Sequence, residues 1–127
     1  MLLDDELPGL AYLKVLCESI VDLEVIRAFD NPEKFIVEFE KSKPDFCFLD
    51  IEMPGINGLQ LKKRLGNTPV VFVTAYSNYA ADAFDLNAVD YVRKPVSLER
   101  LQQAAEKVRA FINAENSKDE KVFFNTD

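Results

Sequence analysis

Hydrophobic residues in this chain alternate between short uninterrupted runs and longer stretches with helical spacing. The short runs predict strands, because a strand buried on both faces does not need alternating polar residues. The longer stretches place apolar residues three and four positions apart, which gives a helix one buried stripe. In chain order, the predicted strands are Met1–Leu3, Val25–Phe29, Phe46–Leu49, Val70–Val73 and Val89–Val92.

A helix is predicted after each strand, with Asp30 and Ser97 as N-terminal caps. Strict alternation of buried strands and helices predicts a parallel sheet with helices on both faces. Right-handed crossovers then favour an α/β, doubly wound (βα)5 flavodoxin-like fold with strand order 2-1-3-4-5. The predicted helices span Pro8–Ile20, Asp30–Lys41, Leu59–Leu65, Ser77–Leu86 and Leu98 to about Asn113.

The last 15 residues differ in composition from the alternating part of the chain. Residues 113–121 (NAENSKDEK) are polar and charged, which is typical of a linker. Val122–Phe124 is apolar again and resembles an opening strand. We therefore expect one domain over residues 1–112, a linker over 113–121 and, at 122–127, the start of a truncated C-terminal domain.

Composition and charge narrow the chemistry that this chain can perform. The 127 residues suit one domain, and 22 acidic against 15 basic side chains give a net charge of −7. This charge argues against nucleic acid or an anionic membrane as a direct partner of this segment. The absence of histidine excludes histidine metal sites and Ser–His or Cys–His nucleophile pairs. The two cysteines lie in apolar stretches, which predicts buried, reduced thiols in a reducing cytoplasm.

Polar residues of specific types follow four of the predicted strands. The carboxyl ends of parallel strands meet at one edge of the sheet, so these side chains should lie close together. A single Asp at such a position is usually a cap or a turn former, but four strand ends of matching chemistry favour a functional site. The residues are Asp4 and Asp5, Asp50, Thr74 and Lys94.

Three crowded carboxylates raise each other's pKa unless a cation lies between them. Mg²⁺ is the natural cation here, because it prefers hard oxygen ligands. A carboxylate beside Mg²⁺ can attack a phosphoryl group and form an acyl phosphate. A nearby lysine and hydroxyl can hold the phosphoryl oxygens.

Four motifs in this order resemble the receiver domain of two-component response regulators. They are LLDDE, FLDIEMPGINGL, TAY and DYVRKPV, and the resemblance covers Met1 to about Ile112. The segment TAYSNYAADAFDLNAVDYVRKPVSLERL is most similar to the LytTR class, in which the receiver precedes a β-rich DNA-binding domain. The final KVFFNTD resembles the opening strand of such a domain.

The resemblance implies a role for each residue at the strand ends. Asp50 would be the phosphorylated nucleophile, and Lys94 and Thr74 would stabilise the phosphoryl group. Thr74 and Tyr91 would form the switch, and Pro95 would follow a cis peptide bond. Contributors to a Mg²⁺ site would be the carboxylates of Asp5 and Asp50, the backbone carbonyl of Glu52 and, indirectly, Asp4.

The implied partners are a sensor histidine kinase, a second copy after phosphorylation, and DNA through the absent C-terminal domain; no membrane is implied. Such a domain is not an ordinary enzyme, but it catalyses its own phosphorylation and slow dephosphorylation. Glu52 and Tyr76 would lie near the approach of the hydrolytic water, and neither is an amide that positions water. Both should therefore slow the loss of the phosphoryl group.

Three other functions remain open at this point. A receiver fold can act as a protein-binding module without phosphorylation. A haloacid-dehalogenase-like phosphatase also uses a strand-end Asp with Mg²⁺, but it needs a second Asp where Glu52 stands. A flavin carrier needs a Ser/Thr/Gly-rich loop after the first strand, which Glu6–Gly9 does not supply. One departure from the receiver pattern is the first strand, since only three residues precede Asp4.

Overall fold

Five parallel strands form one sheet in the predicted order 2-1-3-4-5, and this confirms the predicted fold class. The computed structural model describes the backbone of residues 1–125 and the side chains of residues 1–116. The strands are β1 (Leu2–Leu3), β2 (Ala28–Phe29), β3 (Cys47–Leu49), β4 (Val70–Thr74) and β5 (Asp90–Arg93). The helices are α1 (Leu7–Glu18), α2 (Pro32–Ser42), α3 (Gly58–Lys63), α4 (Ala80–Asp85) and α5 (Leu98–Asn125).

Helices cover both faces of the sheet, and each face has its own apolar cluster. Successive strand residues point to opposite faces, so Phe48 joins one cluster while its neighbour Leu49 joins the other. The first cluster contains buried residues of α1 and α5, and the second contains buried residues of α2, α3 and α4. The strands are therefore fixed from both sides, and their carboxyl ends are held at one edge.

The central strand β1 has only two residues. Leu2 and Leu3 pair with β2 on one side and with β3 on the other, and both side chains are buried. Two further bonds extend this pairing, because the backbone N–H of Asp4 donates to Phe29 and that of Asp50 donates to Leu3. Even this short strand therefore places Asp4, the residue that follows it, beside the end of β3.

Two helix starts differ from the sequence prediction. Asn31 caps α2 in place of Asp30, because its side-chain oxygen accepts the backbone N–H groups of Glu33 and Lys34 at 2.9 and 3.1 Å. Helix α4 begins at Ala80 and not at Ser77. Residues 75–79 form a loop instead, in which the Thr74 hydroxyl accepts the backbone N–H of Tyr76, a local bond that competes with helix formation.

Helix α5 extends to Asn125, beyond the end predicted near Asn113. Its backbone is helical through residues 113–121 and through Val122–Phe124, where the sequence suggested a linker and an opening strand. A helix satisfies its backbone hydrogen bonds locally, whereas a strand would need a neighbouring strand. Residues 126–127 lie outside the described part, and the proposed division into domains stays a prediction.

Both cysteines are buried free thiols, as predicted, and they lie in different apolar clusters. Burial raises the pKa of Cys17 to about 12 and that of Cys47 to about 11. Within the described part of the chain, no helix is long and apolar enough to cross a membrane.

Candidate functional site

Three carboxylates meet at the carboxyl edge of the sheet. Asp4 and Asp5 follow β1, Asp50 follows β3, and each offers one oxygen within 4.8 Å of the others. Asp4 is 1% exposed, Asp50 is 7% exposed and Asp5 is half-buried. The sequence prediction of an acidic cluster at this edge is therefore matched by the structure.

Lys94 reaches into this cluster from the end of β5. Its ammonium group donates to Asp4 at 2.7 Å and to Asp50 at 3.2 Å. Its backbone N–H donates to the carbonyl of Thr74 at 2.9 Å, which ties the end of β5 to the end of β4. The peptide bond between Lys94 and Pro95 is cis, as the resemblance implies. Lys94 thus lies closer to Asp4 than to Asp50, a preference that the sequence did not indicate.

Backbone N–H groups fix the two buried carboxylates. The N–H of Glu6 donates to one oxygen of Asp4 at 2.9 Å, and the N–H of Ile51 donates to one oxygen of Asp50 at 2.7 Å. The second oxygen of each carboxylate accepts from Lys94. Both carboxylates are therefore oriented by the chain itself.

The electrostatic balance of the site favours a further cation. Burial raises the pKa of Asp50, and the charge of Asp4 adds to this, although Lys94 and the Ile51 N–H oppose it. Burial alone would lower the pKa of Lys94, but its hydrogen bond to Asp4 and the charges of Asp50 and Asp4 outweigh burial and raise it. One lysine charge faces three carboxylates, and an all-oxygen donor set suits Mg²⁺. These residues therefore fit the predicted ion.

Two glycines allow the backbone to approach the site. A Cβ atom on Gly58 would lie 2.0 Å from the backbone oxygen of Asp50, and the Gly58 N–H donates to Ile51 at 2.7 Å. A Cβ on Gly9 would lie 3.1 Å from a carboxylate oxygen of Asp4 and 3.6 Å from the Lys94 ammonium. Close packing of α3 under the acidic cluster therefore requires glycine at Gly58. The sequence gave no signal for Gly9.

Thr74 and Tyr91, the two predicted switch residues, both contact residues 75–79. Thr74 is fully buried at the end of β4, and its hydroxyl accepts the backbone N–H of Tyr76 at 3.3 Å. Tyr91 is half-buried on β5, and its hydroxyl donates to the backbone carbonyl of Tyr76. The same loop residue therefore links the two side chains in this state.

Glu52 lies at the rim of the site, where its side chain contacts a tyrosine. It is exposed, and its Oε1 accepts the hydroxyl hydrogen of Tyr79 at 2.5 Å. The sequence placed Glu52 near the site but did not indicate its contact with Tyr79. The bond between them joins residues 27 positions apart, so only the folded chain could show it.

A family comparison covers most of the chain, including the segment that carries these side chains. The response regulator receiver domain matches residues 1–106 of the chain. The chain belongs to this family. Membership confirms the resemblance stated above and goes against both the phosphatase and the flavin carrier.

Curated relatives of this receiver domain include LytT-type regulators. A sensory transduction protein LytT from Bacillus anthracis is 38% identical over 113 residues, which are 86% of this chain and 46% of the relative. An uncharacterised response regulatory protein from Vibrio cholerae is 39% identical over 100 residues, which are 76% of this chain and 38% of the relative. The receiver domain thus spans about half the length of the curated relatives that it matches, or less.

Solved structures share the fold of this receiver domain. The response regulatory domain of MrkE from Klebsiella pneumoniae has a TM-score of 0.77 at 27% identity and covers 87% of this chain and 96% of its own. The REC domain of AraT, a response regulator from Geobacillus stearothermophilus, also has a TM-score of 0.77 at 28% identity, with 91% and 95% covered.

Proposed function

We propose that this receiver domain accepts a phosphoryl group on Asp50 from a sensor histidine kinase in a Mg²⁺-dependent reaction. The observation that carries the proposal is the contact of Lys94 with both Asp4 and Asp50, with a third carboxylate within 4.8 Å. A cap or a turn former would not explain why one buried carboxylate from each of two strands shares a lysine. The proposal also accounts for the missing histidine, since the donor histidine would belong to the kinase.

Phosphorylation would form one bond and break another. A carboxylate oxygen of Asp50 would bond to phosphorus, and the bond between phosphorus and the donor atom would break, so that the donor keeps the electron pair. The Ile51 N–H would hold the Asp50 carboxylate in place, as it does in the structure at 2.7 Å. The Lys94 ammonium would compensate the charge of the phosphoryl oxygens, because phosphoryl transfer depends mainly on positioning and charge stabilisation.

Asp5, Asp50 and the backbone carbonyl of Glu52 would hold the Mg²⁺ ion, with Asp4 contributing indirectly. When bound, the ion would reduce the repulsion between the carboxylates and the incoming phosphoryl group. The donor chemistry of the acidic cluster supports this part of the proposal.

The phosphoryl group would act on the rest of the domain through Thr74 and Tyr91. The Thr74 hydroxyl would exchange its contact with the Tyr76 backbone for a phosphoryl oxygen. Tyr91 would then leave the Tyr76 carbonyl and turn inward, which changes the surface formed by α4, β5 and α5. The phosphoryl group would thereby shift the population between two states of one surface.

We infer that the altered surface pairs two copies of the protein and so brings two DNA-binding domains together. The resemblance to LytT-type proteins supports a transcriptional output, as does the greater length of those relatives. The free thiols of Cys17 and Cys47 support a cytoplasmic location.

Incubation with Mg²⁺ and acetyl phosphate tests the proposal directly. We expect intact-protein mass spectrometry to show an increase of one phosphoryl group in the wild type, and none in Asp50→Asn. Asp45→Asn is the matched control, because Asp45 is an exposed Asp that precedes β3 at the opposite end of that strand. It should accept the phosphoryl group like the wild type.

Failure of every small phosphodonor and of phosphorylated kinase domains would contradict the proposal. That result would favour the remaining candidate, a receiver-fold module that binds a partner protein without phosphorylation. Labelling that persists in Asp50→Asn would show that Asp50 is not the acceptor.

A further inference from the structure

A groove of about 560 Å³ lies at the opposite end of β4 from the acidic site. It is formed by the ends of α3 and α4, the loop that leads into β4, and α5. The N–H of Val89 donates to the carbonyl of Val70 at 2.8 Å, so the segments that enter β5 and β4 run side by side. Strand β4 has five residues, so about 13 Å of strand separates the groove from Thr74. The groove is therefore separate from the proposed phosphorylation site.

Lys62 on α3 forms part of the wall of this groove and is only 9% exposed. Among the residues whose side chains the structure describes, none forms a hydrogen bond or an ion pair with its ammonium group. No side-chain nitrogen in that part of the chain is both fully buried and unpartnered, so the ammonium group reaches the surface at the groove. Burial lowers the pKa of Lys62, and no carboxylate offsets this effect. The lysine is thus poorly hydrated and lacks a counter-charge within residues 1–116.

The end of α3 does not need a buried cation. A positive charge near a helix C-terminus is favourable, but Lys63 and Arg64 already supply two exposed cations at this end. A buried cation costs stability unless a counter-charge binds to it. Among the described residues that line the groove, two are cations and one, the exposed Glu115 of α5, is an anion. The groove therefore favours an anion.

Neutral hydrogen-bond donors line the same groove. They are Asn67, Thr68 and Asn87, and their side chains form no hydrogen bond with the described part of the chain. The N–H of Thr68 donates to the carbonyl of Leu65 at 3.3 Å, and the N–H of Leu65 donates to that of Lys62 at 3.0 Å. These two turns hold Thr68 close to Lys62. A hydroxyl, amide groups and an ammonium can all donate to the oxygens of one anionic group.

Phe111 and Leu86 give the groove an apolar side, and Phe111 is 39% exposed. A ligand that suits both sides carries an oxyanion at one end and an apolar body at the other. We propose that this groove binds a small organic oxyanion, a carboxylate or a phosphate ester with an aromatic or aliphatic body, and that Lys62 pairs with its oxygens. Binding does not involve Asp50, so this site is independent of the proposed phosphorylation.

NMR titration of the isotope-labelled protein with benzoate and with phenyl phosphate tests this inference. Benzamide is the matched ligand control, because it keeps the ring and replaces the anion by a neutral amide. We expect the backbone signals of residues 62–69 and 86–88 to shift with one anion or both, and not with benzamide. The tighter-binding anion identifies the preferred head group. Equal shifts with benzamide, shifts confined to other residues, or no shift at millimolar anion would overturn the inference.

Lys62→Met removes the charge and keeps an apolar side chain of similar length. We expect its affinity for the preferred anion to fall about tenfold or more, as for loss of a charge-assisted hydrogen bond. Lys62→Arg should retain most of the affinity. Without ligand, Lys62→Met should melt no lower than the wild type, because the cost of burying the charge is gone. Lys41→Met is the matched control and should bind like the wild type, since Lys41 is exposed on α2 and does not line the groove.

Thr68→Val provides a second variant that keeps the side-chain shape and removes the hydroxyl. It should weaken binding severalfold, and it decides the outcome if Lys62→Met does not fold. Unchanged affinity in the deciding variant would overturn this inference and leave the proposed function intact. Asp50→Asn should bind the anion like the wild type, and loss of binding there would place the anion at the acidic site instead. A wild type that takes no phosphoryl group but binds the anion would contradict only the proposed function.

Discussion

Lys94 provides one positive charge between two buried carboxylates, and Asp5 adds a third negative charge beside them. At the scale of single residues, the site therefore has an excess of negative charge that is partly shielded from solvent. Burial raises the pKa of Asp50, which means that folding disfavours its ionised form. The ionised Asp50 carboxylate therefore reduces the stability of the folded domain at neutral pH, and a cation that binds beside it restores that stability.

Asp50→Asn should therefore stabilise the domain in metal-free buffer at pH 7, as measured by thermal unfolding. A carboxyl group with a raised folded pKa favours folding below its unfolded pKa of about 4 and loses that contribution as the pH rises. The advantage of Asp50→Asn should thus shrink as the pH falls toward 4. Added Mg²⁺ should raise the midpoint of the wild type more than that of the variant. A wild type that melts at the same temperature with and without Mg²⁺ would contradict the metal assignment.

The Asp90 side chain links β5 to α5 through charged partners on α5. Asp90 on β5 accepts two bonds from the guanidinium of Arg100 at 2.7 and 2.8 Å, and Lys107 lies 3.3 Å away. The Asp90 side chain is 7% exposed, and that of Arg100 is 33% exposed. Burial alone would raise the pKa of Asp90, but the bonds from Arg100 and from the Tyr91 N–H outweigh it and lower the pKa. These charges orient α5 on the element that carries Tyr91.

Asp90→Ala should destabilise the domain by about 2 kcal/mol in urea unfolding, since it leaves a partly buried arginine without its carboxylate. The loss is smaller than for a fully buried ion pair because Arg100 retains access to water. A carboxyl group with a lowered pKa stabilises the fold above its unfolded pKa of about 4 and loses that contribution in stronger acid. The difference between wild type and variant should hold at neutral pH and disappear below pH 4.

Asp22→Ala is the matched control for this pair. Asp22 also accepts two bonds from an arginine, Arg109, but its side chain is 55% exposed. Exposed pairs contribute little because water and salt screen them. We expect little change in unfolding, and equal losses in Asp22→Ala and Asp90→Ala would show that burial does not set the strength of the Asp90 pair.

At the scale of the whole molecule, the acidic site and an apolar surface lie on connected elements. Phe84 on α4 is 79% exposed and Phe111 on α5 is 39% exposed. Both helices flank β5, whose Tyr91 contacts the loop after β4. A change at Thr74 and Tyr91 would therefore reach a surface with apolar groups available for pairing.

We expect the domain to be a monomer without phosphodonor and a dimer after phosphorylation, measured by light scattering during size-exclusion chromatography. Phe84→Asp should prevent the dimer, because a charge would be buried without a partner. Val21→Asp is the control, since Val21 is fully exposed in the turn after α1. Equal masses with and without phosphorylation would contradict a dimeric output.

The sequence by itself determined the alternation of elements, the strand order and the residue types at the strand ends. Apolar runs such as Val70–Val73 and helix caps such as Ser97 could be predicted because they depend largely on residues that are neighbours in the sequence. Helix boundaries were less predictable from the sequence. Helix α4 begins at Ala80 because the Thr74 hydroxyl accepts the Tyr76 N–H and keeps the preceding residues in a loop. The end of α5 was placed too early for a different reason, since composition alone does not show whether a polar segment stays helical.

Only the tertiary structure decided which side chains touch. Lys94 and Asp4 are 90 positions apart, yet their atoms lie 2.7 Å from each other. Tyr79 and Glu52 are 27 positions apart and share a hydrogen bond that no spacing rule indicates. Such contacts depend on side-chain rotamers and on the distances between strands, which the packing of both faces of the sheet sets together. The sequence therefore specified which chemical groups stand at this edge, and packing specified their partners.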